Sequence, residues 1–445
     1  MRSILTLTVA ALALGAVGQG PIALSLQQAQ DLAAKQSYMV LTSELGTRIA
    51  HHRNKEITAI GLPQINGEVK LTDLIDVPTQ LIPNFFAEPG SGGPPYVPVQ
   101  FGVPWSASGG VTLTQLIFDG SYLVGLKAAR ELQTQSVQEL ERTQADARTQ
   151  ATKAYLGVLA AEEGVRLIGE GVPLLEKSLA DVTAMMNAGF MENIDADRMT
   201  IQLEQALSQQ RDFEAQAKVA RMLLALTLGV PQGTPITLTE RLDAIVNDPA
   251  ETALSEQPLD AGTHVEMSYA GTLVRLQELN TRNEKTKALP NMVGFVSHQQ
   301  QWNGPEFEPF NGPYDWYPST LWGLTLNVPI FSSGSRHHKV QQAKLALEQV
   351  RVNQTATEQR LAAMAEQSRT QARSAFDAYR TEERNMGLSK NIFERTSTKF
   401  TNGMAASFEL TQEQGNYLLA QQQYVQKLVE LLMARADLRK ALDLY

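Results

Sequence analysis

Residues 64–71 alternate strictly, with Ile65, Gly67, Val69 and Leu71 on one phase and Gln64, Asn66, Glu68 and Lys70 on the other. That period of two predicts a strand with one apolar and one polar face. Residues 322–330 repeat it: Trp322, Leu324, Leu326, Val328 and Ile330 alternate with Gly323, Thr325, Asn327 and Pro329. Weaker partner strands fall at 107–118 and 291–299, so the pattern predicts four strands in two hairpins. The connection 76–104 is rich in proline and glycine and is expected as a long irregular loop. The second connection, 303–318, is also rich in glycine, proline and aromatic residues.

After each hairpin the period changes. No glycine or proline occurs in residues 126–156 or 337–386, and strong helix formers dominate both stretches. Small or aliphatic residues return every three or four places, at Leu126, Ala129, Leu132, Val137 and Leu140 and again at Ala343, Leu347 and Val350. The span from Asp119 to Gly189, if helical throughout, reaches roughly 100 Å at about 1.5 Å per residue. Pro173, with Gly164, Gly169 and Gly171 before it, is expected to bend or interrupt it. Near Gly189 and Gly403 the helices are expected to turn back and return to about Leu228 and Leu442, giving long antiparallel helical hairpins.

The chain is an internal duplication. Leu62-Pro63 matches Leu289-Pro290 at an offset of 227 residues, Ile117-Phe118 matches Ile330-Phe331 at 213, and Ala188-Gly189 matches Asn402-Gly403 at 214. The first copy therefore carries about 14 extra residues in its proline-rich loop. The predicted organisation is a leader over 1–18, a first repeat over 19–228, a linker over 229–263 and a second repeat over 264–445. Within the repeats, hairpins at about 63–118 and 290–331 precede helices at about 119–228 and 332–442. Proline and glycine at Pro231, Gly233, Pro235, Pro249, Pro258 and Gly262 are expected to interrupt any regular pattern in the linker.

Arg2, the apolar stretch 4–17 and the small residues Ala16 and Gly18 read as a secretory leader. That stretch is shorter than the roughly 20 residues a bilayer-spanning helix needs, so membrane entry, if any, is by strands. With no cysteine, neither a disulfide framework nor lipid attachment through a cysteine is available. The net charge of −9 disfavours nucleic acid as a partner, because phosphate binding wants a basic face.

The paired histidines His51-His52 and His337-His338 occupy adjacent helix positions that face apart and lack any zinc-binding spacing, so they are expected as solvated side chains. No nucleophile motif, phosphate loop or cysteine is present, and no enzyme, cofactor or metal site is expected.

Four strands do not close a barrel, since single-chain membrane barrels begin at about eight. An open apolar sheet in lipid leaves its edge amides and carbonyls unpaired at several kcal/mol each. Several chains must therefore share one wall, with lipid outside and water inside. Trp316, Tyr317 and Trp322 suit an interfacial aromatic girdle.

The segments 116–120 (Leu-Ile-Phe-Asp-Gly) and 328–336 (Val-Pro-Ile-Phe-Ser-Ser-Gly-Ser-Arg) resemble the strand-to-helix signature of the TolC-type outer membrane efflux family, and the duplicated layout covers nearly all of the chain after its leader. The resemblance implies a mixed α and β membrane protein: a homotrimer in which four strands per protomer contribute to a shared twelve-stranded barrel in outer-membrane lipid. Long antiparallel helices would form a periplasmic tunnel, with the linker and chain ends in an equatorial layer. It further implies a passive exit duct in a tripartite efflux or type I secretion system, working with a periplasmic adaptor (a membrane fusion protein) and an inner-membrane pump. The tips Gly189, Phe190, Gly403 and Met404 correspond to the adaptor-contacting mouth. Asp195 and Glu409, six residues after each tip glycine, are candidates for cation-selective acidic rings at the periplasmic gate. Where relatives often carry an arginine and an aspartate after the second tip, this chain has Ala405 and Gln412. Phe118, Gly120, Phe331 and Gly334 mark the barrel-to-tunnel junction, the phenylalanines packing there and the glycines easing the turn. The alternatives are a non-conducting periplasmic coiled-coil scaffold or adhesin, and a cell-wall hydrolase with helical arms.

Overall fold

The structure is a computed structural model describing residues 22–85, 94–249 and 253–445; the expected leader lies outside the described residues. The chain divides into two compact units, one of residues up to Thr47 with 136–271 and 354–445, the other of 48–135 and 272–353. No helix among the described residues is long and apolar enough to cross a membrane.

The second unit holds a four-stranded antiparallel sheet of β2 (Gln64–Asp73), β5 (Trp105–Phe118), β7 (Asn291–Gly304) and β8 (Tyr317–Asn327), in the order β2-β5-β7-β8. β1 (Ile22–Leu24) precedes it in the chain and belongs to the other unit. β8 stops at Asn327, short of the expected Ile330, where Pro329 lacks the N–H that would extend the ladder. The 76–104 connection is not wholly irregular: β3 (Thr79–Pro83) and β4 (Tyr96–Gln100) form a separate hairpin. Its prolines are tolerated because every strand of a two-stranded ribbon is an edge.

The duplication extends to the hydrogen-bond register. All ten β2–β5 pairs recur between β7 and β8 when the incoming strand is advanced by 227 residues and the outgoing strand by 213: Val69–Gly109 becomes Val296–Trp322, and Gln64–Thr114 becomes Asn291–Asn327. The sheet's interior joint, β5 against β7, pairs the outgoing strand of one copy with the incoming strand of the other. A register shift at Leu116/Phe118 leaves Ile117 as an extra residue there.

α1 (Leu26–Gln36) starts with a capping box in which Ser25 and Gln28 satisfy each other's backbone N–H groups. α2 (Tyr38–Ile60) leads to the first hairpin, and α6 (Val265–Thr286) to the second. α3 (Gly120–Asn187) and α7 (Ser335–Thr401) follow the hairpins, and α4 (Asn193–Thr227) and α8 (Ser407–Ala441) return. α3 runs through Pro173 as one helix, so of the expected bend or interruption there is no interruption. The missing proline N–H costs about 3 kcal/mol, but buried Val172 and Leu175 anchor the helix on both sides of it.

The linker also has regular structure. β6 (Ile236–Leu238) pairs in parallel with β1 near the chain start, and α5 (Leu242–Val246) follows. Both belong to the core of the first unit, where Leu24, Leu242 and Val246 pack with Tyr155, Leu428, Leu431 and Leu432. Tyr155 donates its hydroxyl to the Leu24 carbonyl at 3.1 Å, and Arg435, buried beside Phe376, donates to the Val246 carbonyl at 2.9 Å.

Candidate functional site: an open sheet and two helix tips

Cross-strand partners share a face of a sheet, so the register sorts the side chains. One face carries Ile65, Val69 and Leu71 of β2, Val111 and Leu113 of β5, Val296 of β7 and Trp322, Leu324 and Leu326 of β8. The opposite face carries Asn66, Glu68 and Lys70, Ser108 and Thr112, Ser297 and Gln299, and Ser319 and Thr325. Across the polar face Thr112 and Ser297 hydroxyls lie 2.9 Å apart.

The apolar face is bare: Val69 is 89% exposed, Trp322 77% and Leu324 62%. Among the described residues β2 and β8 are paired on one side only. Apart from buried Trp302 and the half-buried positions of β5, the sheet presents an exposed apolar face and, among the described residues, two unpaired edges.

The aromatic residues sort differently from expectation. Trp322 is on the apolar face, but Tyr317, five residues earlier, points to the polar one, since an odd separation along a strand reverses the side chain. Trp316 precedes the strand, and its indole N–H donates to the Pro309 carbonyl at 2.7 Å. Trp105 and Trp302 instead stand at the far end of the apolar phase, grouped with Phe307 at ring distances of 5.1 and 6.4 Å. Their positions on the apolar phase at the hairpin's end were the available signal.

At the strand-to-helix junction the two copies use glycine for different reasons. Asp119 caps α3, its carboxylate accepting from the N–H groups of Ser121 and Tyr122 at 2.6 and 3.0 Å. Gly120 opens the helix, where a Cβ would stand 3.1 Å from side-chain atoms of both Leu289 and Thr286, so what glycine supplies there is room and not a turn. Gly334 has φ +82° and a Cβ there would meet only His338. Phe118 is 40% exposed and Phe331 86% exposed, so in a single chain the second is uncovered.

Both helix tips have the same backbone. Gly189 and Gly403, at φ +79° and +71°, end α3 and α7. The next residue donates five residues back, Phe190 to Met185 and Met404 to Lys399, and the glycine donates three back, to Met186 and Phe400. This is a Schellman cap, for which glycine is the residue without a Cβ penalty. Phe190 and Met404 are exposed beyond the turns. Beneath them Val182, Met199, Phe393, Phe400, Leu410 and Tyr417 form a separate core.

The two candidate acids differ. Asp195 accepts the Ser407 hydroxyl at 2.5 Å and has Arg198 at 3.9 Å, while Arg198 lies over the Phe408 ring. Those contacts tie the first tip to the second. Glu409 is exposed and has no hydrogen-bond or ion partner among the described residues. Ser407, Arg198 and Phe408 carried no sequence signal, because each depends on which helices lie side by side. His51, His52, His337 and His338 are all exposed, and among the described residues no group of three or more metal-ligating side chains is gathered.

Residues 260–443 match the family of outer membrane efflux proteins. No curated protein matches the sequence. Solved structures match it over 94% of its length. They include the CusC channel (14% identity, 91% of that chain, TM-score 0.70) and the open-state MtrE outer membrane channel of Neisseria gonorrhoeae (16%, 88%, 0.68). The outer membrane protein VceC of Vibrio cholerae matches at 13% identity over 95% of its chain, with TM-score 0.67. These likenesses bear out the resemblance read from the strand-to-helix motifs, and the chain has the fold of outer-membrane efflux channels.

Proposed function

We propose that this chain, whose second half matches the outer membrane efflux proteins, is one subunit of a homotrimeric outer-membrane exit duct. In this reading the sheets of three copies complete a twelve-stranded barrel, and the helices line a periplasmic passage. Residues 19–228 and 264–445 are its structural repeats and 229–263 its linker. A periplasmic adaptor meets the tips at Gly189, Phe190, Gly403 and Met404, an inner-membrane pump supplies the energy, and drugs or other cargo pass through a water-filled lumen.

The observation that carries the reading is the sheet. A soluble body does not leave Val69, Trp322 and Leu324 bare on a face whose bordering strands are also unpaired. Lipid on that face and neighbouring strands at both edges remove the two costs together, and the opposite polar face then faces water. At the tips, Glu409 has the free carboxylate of a cation-favouring ring, whereas Asp195 also joins the two helical hairpins.

Purified protein added to planar bilayers is expected to give discrete single-channel conductance and to run as a trimer in detergent. A monomer that forms no pores would overturn the proposal. Extraction from membranes by high salt or alkaline wash would instead point to the non-conducting scaffold.

A further inference from the structure

The shared barrel proposed above requires β8 of one copy to meet β2 of the next, and the duplication specifies how. Offsets of 227 for the incoming strand and 213 for the outgoing strand convert the first hairpin's register into the second's without a single mismatched row. The same two offsets act on the joint between the copies. There β5, an outgoing strand, pairs with β7, an incoming one, through Leu113–Val296, Thr112–Ser297 and Val111–His298. The other outgoing strand is β8 and the other incoming strand is β2, and these are the two unpaired edges.

We infer that β8 pairs with β2 of a second copy of this chain in the register Leu326–Val69, Thr325–Lys70 and Leu324–Leu71, reproducing the β5–β7 joint. The inference rests on the shared-barrel reading and goes beyond it, because a shared barrel alone fixes neither the partner residues nor the register.

Two properties agree with it. The parity is right: Leu326 and Leu324 meet Val69 and Leu71, all on the apolar face, while Thr325 meets Lys70 on the polar one. A slip of one residue would set apolar against polar side chains along the whole joint. No like charges are brought opposite each other, since Glu68 and Lys70 receive Asn327 and Thr325.

The absence of cysteine from the sequence makes a direct test possible. The double variants Leu71→Cys/Leu324→Cys and Lys70→Cys/Thr325→Cys probe adjacent rows. Antiparallel rows alternate between wide and close spacing, so one of the two offers the close Cβ separation a disulfide needs. Within a chain the two positions are three strand spacings apart, roughly 14 Å, too far for an internal bond. Oxidised full-length protein, purified in detergent, is expected to convert to covalent dimers and trimers on non-reducing gels in at least one of these variants. Its yield should exceed by at least tenfold that of the shifted pairs Val69→Cys/Leu324→Cys and Asp73→Cys/Leu324→Cys.

The single-cysteine variants should conduct and elute as the parent does, which shows that they fold. Efficient crosslinking of a shifted pair, with none at either aligned pair, would overturn the register and leave the shared barrel standing. No crosslink at any pair in a protein that still conducts and elutes as an oligomer would also overturn this joint. A monomeric, non-conducting parent would remove the shared barrel as well.

Discussion

The return helices α4 and α8 have the same length, 35 residues, and occupy equivalent places in the two copies, yet they are buried to very different extents. In α8, Val425, Leu428 and Leu432 are core residues; their equivalents in α4, Arg211, Glu214 and Lys218, are exposed. The difference comes from what lies over each helix. The linker strand and α5 pack with the upper part of α8, and Arg435 fastens it to the carbonyl end of α5. A duplicated element thus kept its backbone and changed its chemistry when only one copy acquired a cover. It follows that equivalence between copies licenses backbone inferences, such as strand register or tip geometry, much more safely than side-chain ones.

The sharpest break of that comparison is a matched truncation. Leu432→Ala is expected to destabilise the protein by about 2–5 kcal/mol through lost burial and the cavity left behind. Lys218→Ala at the equivalent site in α4 should change stability by less than about 0.5 kcal/mol. Thermal and denaturant unfolding of the purified protein in detergent, followed by circular dichroism, reads both. Equal losses would show that α4 is covered as fully as α8.

The tip acids give the next contrast. Asp195→Asn weakens a charged hydrogen bond with Ser407 and the nearby attraction to Arg198, and is expected to cost about 1.5 kcal/mol. Glu409→Gln should leave stability unchanged and lower the cation preference of the channel, measured as a reversal-potential shift under a salt gradient. An unaltered reversal potential in both single variants and the double variant would remove the acids from the gate.

A tyrosine cluster in the second copy adds a pH test. Burial, together with the contact between Tyr379 and Tyr424 at a ring distance of 5.6 Å, pushes the Tyr379 hydroxyl well above the usual tyrosine range, and burial likewise raises Tyr424 and Tyr417. The first copy has Val165, Gln210 and Leu203 at these places. Above about pH 10 the unfolded tyrosines lose protons that the folded ones retain, so unfolding is favoured as pH rises and the stabilisation is intact below that pH. The expected slope is up to about 1.4 kcal/mol per pH unit for each tyrosine. Tyr379→Phe/Tyr424→Phe should flatten it, and an alkaline unfolding profile identical to the parent's would remove the cluster as its source.

The smallest effect belongs to the tips. Gly189→Ala and Gly403→Ala each place a Cβ in a left-handed turn with open space around it, so each is expected to cost only about 1 kcal/mol. Unequal losses in unfolding measurements would mean that the two caps, alike in hydrogen bonding, differ in what surrounds them.

Much of the fold was legible because it is periodic or punctuated. Alternation at 64–71 and 322–327, helix-forming composition at 126–156, and Gly189 and Gly403 as stops are local facts, and local sterics turn them into strands, helices and caps. The duplication was legible for the same reason, and it carried the register with it. The hairpin at 79–100 was not, because prolines that forbid a central strand are harmless in an isolated ribbon. The linker strand was also hidden: Ile236–Leu238 is three residues long and acquires meaning only when Ile22–Leu24 pairs with it.

The sequence by itself therefore determined the order of the four sheet strands and the long helices after them, the two faces of the strands at 64–71 and 322–327, the turning points and the acids beyond them, all of which depend on neighbours a few residues away. Tertiary structure decided that Asp195 is held by Ser407 from 212 residues away, that Gly120 is crowded by Leu289 and Thr286, and that one return helix is buried at far more positions than its twin. Those outcomes hang on which surfaces meet, and a surface's partner is set by packing across the whole chain and not by the residues beside it.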